Sequence, residues 1–202
     1  MAARRFTDVT PPRRLVVGIS GASGVRYGVR LLTLLREAGV ETHLVMTHAA
    51  EITLAHETSC KVAQVRALAS VAYAIGDIAA GISSGSFRTM GMVVAPCSVR
   101  SMSEIASGVT SSLLSRAADV TLKERRRLVL LVRETPLHAG HLRTMLQLSE
   151  MGAVIAPPVP AFYAQPTSLE EMIDHTLGRV MDLFGIEIGT VRRWRELSEG
   201  EG

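Results

Sequence analysis

The feature that most restricts this chain is an alternation of two patterns. Short runs that are apolar at nearly every position are separated by longer stretches of helical period. Leu15-Val16-Val17-Gly18-Ile19, Glu41 to Thr47, Met92 to Ala95, Leu128 to Val132 and Ala153 to Ala156 read as strands. Helices are expected over Val25 to Ala38, Ala49 to His56, Val62 to Ala69, Ser101 to Ala106, Ser112 to Arg126 and His138 to Met151. A last helix, opened by a capping box at Ser168-Leu-Glu-Glu171, should reach Phe184. Gly39 should close the first helix, while Pro96 and Pro157-Pro158 should stop their strands. Strands apolar on both faces need cover on both, so the pattern predicts an α/β fold in which helices sandwich a parallel sheet. With no repeat and no internal linker, it reads as a basic tail over residues 1–13 and one domain over 14–202.

Charge narrows the function classes. The 202 residues carry 22 basic and 19 acidic side chains, and the excess of three is already present in Arg4, Arg5, Arg13 and Arg14 against Asp8. The remainder is balanced, so no basic face for nucleic acid is expected. A 47% hydrophobic content is too high for a disordered chain. Two cysteines, Cys60 and Cys97, make no disulfide framework and point to a reducing compartment. No apolar run approaches the roughly 20 residues of a membrane span. Leu15 to Ile19 is too short for the core of a signal peptide. A cytoplasmic protein that engages neither membrane nor nucleic acid is expected.

In such sheets ligands sit at the carboxyl ends of strands beside helix N-termini, which singles out three loops. The first, Gly18-Ile-Ser20-Gly21-Ala22-Ser23-Gly24, offers glycines for close backbone approach, hydroxyl donors and a helix start that favours an anion. Its GxxGxxG spacing is not the GxGxxG of dinucleotide sites, and Glu41 begins the second strand rather than ending it, which counts against NAD. A plain turn is the competing reading. The second, Pro96-Cys97-Ser98-Val99-Arg100-Ser101, presents hydroxyls to a phosphate or a heterocycle edge, or simply caps a helix. Cys97 reads as a packing residue. The third, Arg133-Glu134-Thr135-Pro136, places either a phosphate-binding arginine or a structural ion pair at the crevice. Arg116 and Lys123 lie two turns apart on one helix face, and Lys123 is one of only two lysines. His138 and His141 lack a third partner at metal-ligand spacing, and Glu170-Glu171-Met-Ile-Asp174 reads as a solvated helix start, so no metal site is expected.

Taken together, GISGASG, LVMTHAAEITLAHET, ISSGSF, PCSVRSMSEIASG, LLSRAADVTLKERR, LVLLVRETPLHAGHLRTM and GAVIAPPVPAFY, in this order from about Arg14 to Trp194, resemble the flavin prenyltransferases of UbiX type. The resemblance implies a flavodoxin-like, Rossmann-like three-layer fold, a homododecamer, and the transfer of a dimethylallyl group from its monophosphate or diphosphate to N5 and C6 of reduced FMN. The product would serve a UbiD-type decarboxylase, and no metal would be needed. Carried over by position, Gly21, Ala22, Ser23, Thr47, Ser98, Val99, Arg100, Ser101 and Arg133 would contact FMN. Lys123, Tyr163 and Arg179 would grip the prenyl phosphate, with Arg116 and Trp194 closing the site across subunits. Ser23, Glu57, Lys123 and Glu134 would carry the chemistry, the carboxylates as acid and base.

Physical chemistry agrees with that assignment. Ionising an allylic phosphate calls for cations on the leaving anion, here Lys123, Arg133 and Arg179. The ring of Trp194 and the flavin itself suit an allylic cation. A carboxyl such as Glu57 would shuttle protons if burial raised its pKa. A cationic pocket of Arg116, Lys123, Arg133 and Arg179 is therefore expected. The sequence departs from the family where Thr47 and His48 replace Ser and Lys, and where Arg127 replaces Pro. Two other readings compete: an FMN-dependent decarboxylase of the flavin-containing cysteine decarboxylase group, with His48 or His56 as its histidine, and a non-catalytic flavin carrier.

Overall fold

The computed structural model describes residues 13–189 and 191–193. Trp194 and residues 1–12 of the expected tail lie outside them, and Arg14 opens the first strand. The elements are β1 Arg14–Ile19, α1 Val25–Glu37, β2 Glu41–Met46, α2 His48–Glu57, α3 Val62–Arg66, β3 Val71–Tyr73, β4 Gly91–Cys97, α4 Val99–Ser107, α5 Leu113–Lys123, β5 Arg127–Val132, α6 Ala139–Glu150, β6 Val154–Ile155 and α7 Leu169–Asp182.

Successive side chains of a strand face opposite ways, and here both directions are apolar. Leu15, Val17, Ile19, Val93, Ala95, Val129 and Leu131 pack into one buried cluster with α1, α2 and α7. Val16, Met92, Val94, Leu128, Leu130 and Val132 pack into another with α4, α5 and α6. The strands form one parallel sheet in the order β3-β2-β1-β4-β5-β6. Without the three-residue edge strand β3 this is the flavodoxin order, and the chain reverses direction across the sheet between β1 and β4. The loops after those two strands therefore splay apart and leave a crevice. Close packing beneath it depends on Gly28, where an added methyl would overlap the Ala95 carbonyl oxygen.

Several expectations shift. β4 runs through Pro96, which falls within the register irregularity between Val94 and Cys97 against β5, so its missing N–H costs no regular ladder bond. α5 ends at Lys123 because Arg125 turns back with φ 56°, and Arg126 donates to the carbonyls of Gly85 and Phe87 at 2.6 and 2.7 Å. At α7 the Ser168 hydroxyl accepts from the Glu171 N–H, but the Glu171 carboxylate takes its bonds from Thr167 rather than closing the box. Asp174, from the same acidic stretch, holds Arg30 of α1 through two bonds of 2.6 and 2.8 Å. Among the described residues no helix is long and apolar enough to cross a membrane.

At the amino edge of the sheet lies a polar cluster. His43 is buried; its Nε2 donates to Glu41 at 2.9 Å, and its Nδ1 meets the Tyr73 hydroxyl at 2.8 Å. Arg14 donates to the other oxygen of Glu41 at 2.8 Å. Burial pushes the His43 imidazole below its ordinary value, and the Glu41 carboxylate offsets only part of that. The unfolded chain, titrating near pH 6.5, takes up a proton that the folded chain resists. His43 therefore contributes stability above about pH 6.5 that is lost as pH falls through that value. Urea midpoints measured between pH 7.5 and 5 should decline, and His43→Asn should flatten the decline. An equally steep decline in the variant would remove His43 as its source.

Candidate functional site

The loops after β1 and β4 are joined by a side chain that the sequence offered to a ligand. Ser20 is fully buried. Its hydroxyl donates to the Pro96 carbonyl at 2.9 Å and accepts from the Ser98 N–H at 2.8 Å. The Arg133 N–H bonds the Cys97 carbonyl at 3.0 Å, which brings the end of β5 into the same seam.

The start of α1 is also occupied from within. Gly24, at φ 97°, donates its N–H to both oxygens of Glu57 at 3.0 and 2.9 Å, and the Val25 N–H adds a third bond at 3.0 Å. The anion expected at this helix terminus is thus a side chain of α2. Gly21 is required by the protein itself, since a methyl there would overlap that of Ala49. Ala22 is buried and Ser23 exposed.

What remains open is the other side of that loop, a cleft of ≈ 420 Å³. Of the predicted residues, Gly21, Thr47, Ser98, Val99, Arg100 and Ser101 line it, together with His48, Ser111 and Ser112. Three helices begin at its wall. Thr47 caps α2, accepting from the Ala50 N–H at 3.1 Å; Ser98 caps α4, accepting from Ser101; Ser112 caps α5, accepting from Ser115. Three helix N-termini and a set of hydroxyls make a strong site for a phosphate or a polar ring edge, and Ile75 and Ala49 add apolar surface. Arg100 reaches Glu104 at 3.0 Å. Cys97 is buried and its thiol is pushed up to about 12 by that burial, as befits a packing residue. Cys60 is partly exposed beside α1 and α7.

Arg133 and Glu134 line a neighbouring cleft of ≈ 400 Å³ with Tyr27. It adjoins a third, of ≈ 310 Å³, which brings Tyr163 and Arg179 together and shares Pro157, Val159 and Thr176 with the second. Tyr163 meets His175 at 3.4 Å, and Arg179 reaches Asp182 at 2.6 Å.

The expected four-cation pocket does not form within one chain. Arg116 and Lys123 lie on α5, packed on one face of the sheet, whereas Arg179 lies on α7, packed on the other. α5 starts against the Ile75 carbonyl near the cleft and runs toward the opposite edge of the sheet, ending at Lys123, whose ion pair is with Glu124. Arg116 donates to Asp119 at 2.8 Å and to the Ser83 carbonyl at 3.2 Å. Arg127 opens β5 at that same far edge, over the Phe184 ring. Among the described residues no three His, Cys, Asp or Glu side chains come together as a metal site. The rings of His138 and His141 stack with centroids 3.6 Å apart.

Residues 5–183 match the Flavoprotein family. The chain is 59% identical over 177 residues to the flavin prenyltransferase UbiX of Escherichia coli (strain K12), an overlap of 87% of this chain and 94% of that one. It belongs to the flavin prenyltransferase UbiX family. Among solved structures, AnUbiX (PadA1) in complex with FMN and dimethylallyl pyrophosphate is similar with a TM-score of 0.89 and 52% identity, over 91% of this chain and 97% of that one. A dodecameric FMN-dependent UbiX-like decarboxylase from Escherichia coli O157:H7 is similar with a TM-score of 0.88 and 49% identity, over 90% and 99%.

Within this UbiX-family chain, sequence reasoning missed Ser112 and Ile75 as cleft residues. The serine was legible as a helix start, but its place at the cleft depends on the segment after β3, a three-residue edge strand too short to carry a pattern. It also passed over Ser20 as a structural group. Replacing it, Ser20→Ala, leaves the Ser98 N–H without its acceptor, a loss of roughly 1–3 kcal/mol. Urea unfolding of wild type and variant should show that difference, together with weaker ligand binding at the cleft; an unchanged midpoint would mean the seam does not depend on Ser20.

Proposed function

We propose that this chain is a flavin prenyltransferase that joins a dimethylallyl group, supplied as the monophosphate or diphosphate, to N5 and C6 of reduced FMN. The observation that carries the reading is the convergence of the N-termini of α2, α4 and α5, with their hydroxyl caps, on one cleft at the β1/β4 crossover. That donor set fits a flavin mononucleotide, whose phosphate and ring edge both need hydrogen bonds and whose ring needs apolar cover. The AnUbiX structure with FMN and dimethylallyl pyrophosphate supports the same pair of ligands.

Gly21, Ala22, Ser23, Thr47, Ser98 to Ser101 and Arg133 are assigned to FMN. Reduced FMN supplies the nucleophilic N5 and C6. Forming both bonds removes a proton from each of those atoms; one returns to the alkene carbon of the C5 unit, and the other leaves with the phosphate. Glu57, bonded to the loop that carries Ser23, and Glu134, beside Arg133, are the carboxylates assigned to those transfers. Tyr163 and Arg179 hold the donor phosphate from one side. Lys123 and Arg116 come to it from another copy of the chain, in an assembly like the dodecamer of the Escherichia coli relative, and Trp194 covers the prenyl group. The protein works in the cytoplasm and passes prenylated FMN to a UbiD-type decarboxylase. A second reading, an FMN-dependent decarboxylase, draws on His48 at the cleft wall.

Anaerobic incubation of the protein with reduced FMN and either donor, followed by mass spectrometry of the flavin, should show the gain of one C5 unit with at least one of them. No gain with either donor would remove the transferase reading, and release of carbon dioxide from a cysteinyl substrate would favour the second. Lys123→Ala should keep FMN and lose prenylation at donor concentrations that saturate the wild type, whereas loss of FMN would show that the lysine serves the flavin instead.

A further inference from the structure

The ISSGSF segment has no place in the functional reading so far, yet the structure ties it to Lys123. Gly85 and Phe87 lie in the loop before β4. An ideal Cβ on Gly85 would stand 2.8 Å from Lys123 Nζ and would overlap the Glu124 carboxylate, so the Lys123–Glu124 pair rests directly on the backbone of Gly85. The guanidinium of Arg126 grips this corner from beneath, with Nη2 on the Gly85 carbonyl at 2.6 Å and Nη1 on the Phe87 carbonyl at 2.7 Å.

Phe87 is in turn wedged. Arg14 of β1 lies over its ring at 5.0 Å from the centroid, and the His43 ring meets it edge-on at 5.0 Å. Those two side chains are themselves immobilised through Glu41 and Tyr73. A lysine ammonium on a flexible stem holds a phosphate more tightly when something restricts it, because its rotamer freedom opposes each fixed geometry. Here the restriction runs from the sheet edge through Phe87 and Gly85 to the ammonium.

We propose that Phe87 is a positioning residue for Lys123: held between Arg14 and His43, it fixes the Gly85 corner on which the ammonium rests. The inference rests on the assignment of Lys123 to the donor phosphate. It makes the polar cluster around His43 at the amino edge of the sheet part of the transferase machinery, although no residue of that cluster lines the flavin cleft.

The test is a set of four single variants of the full-length protein, Phe87→Ala, Gly85→Ala, Arg126→Lys and Lys123→Ala, assayed for the KM of the prenyl donor and for the dissociation constant of FMN. Gly85→Ala keeps Phe87 in place and requires only flexible side-chain ends to move, so it carries the test should Phe87→Ala fail to fold. Misplacing a charged group by about an ångström costs up to on the order of a hundredfold. Phe87→Ala and Gly85→Ala should accordingly raise the donor KM by about ten- to a hundredfold and leave FMN affinity unchanged, with Arg126→Lys in between. If Lys123→Ala leaves the donor KM unaltered, the assignment of that lysine fails and the inference falls with it. If Lys123→Ala raises the donor KM but Gly85→Ala and Phe87→Ala do not, the inference alone is overturned. The same holds if FMN affinity and donor KM decline together in these variants, since that is the behaviour of a general structural defect.

Discussion

One buried hydroxyl holds the crevice of this molecule to its shape. At the point where the chain reverses direction across the sheet, the ends of β1 and β4 are neighbours, and the loops that leave them must separate. Ser20, just after β1, lies at that fork, fully buried, and its hydroxyl bonds the Pro96 carbonyl and the Ser98 amide, both on the β4 side. An unpaired amide there would carry a desolvation penalty with nothing against it, so the two loops are tied at a fixed separation. The caps of α2 and α4, and through them the directions of the N–H groups that face the cleft, follow from that separation.

The helix starts around the cleft divide into two kinds. α1, which the glycine-rich loop leads into, has its amides satisfied by the carboxylate of Glu57. Those of α2, α4 and α5 are capped by short hydroxyls, with the Ile75 carbonyl also taking one α5 amide, which leaves part of the N-terminal field unspent. The first loop therefore serves as a rigid wall of the cleft, with Gly21 packed against Ala49 and Gly24 in an αL turn. The helix field left open to the cleft comes from the other three helices.

The strands at the centre were legible because a strand covered on both faces has to be apolar throughout its buried length, and β1, β4 and β5 are, apart from the arginines that open β1 and β5. β3 was not, since its three residues are exposed or half-buried at the sheet edge. Pro96 misled in the opposite direction: a missing N–H ends a regular ladder but not an irregular one. The cleft residues around Ser98 were readable as a strand-turn-helix unit. The distribution of cations was not. Nothing in the spacing of Lys123 and Arg179 says that their helices cover opposite faces of the sheet, because that depends on which side each crossover takes. Position in the family's motifs named these residues; a single folded chain does not gather them.

The two cysteines differ sharply in environment. Cys97 is enclosed in the core with its thiol held far from ionisation, while Cys60 is partly exposed in a pocket beside α1 and α7 that Glu57 also lines. Thiolate is the reacting form, so the unmodified chain offers alkylating reagents one target near neutral pH. A fluorophore or spin label on Cys60 would report on the α1–α7 junction from a natural position, with no engineered residue in the protein.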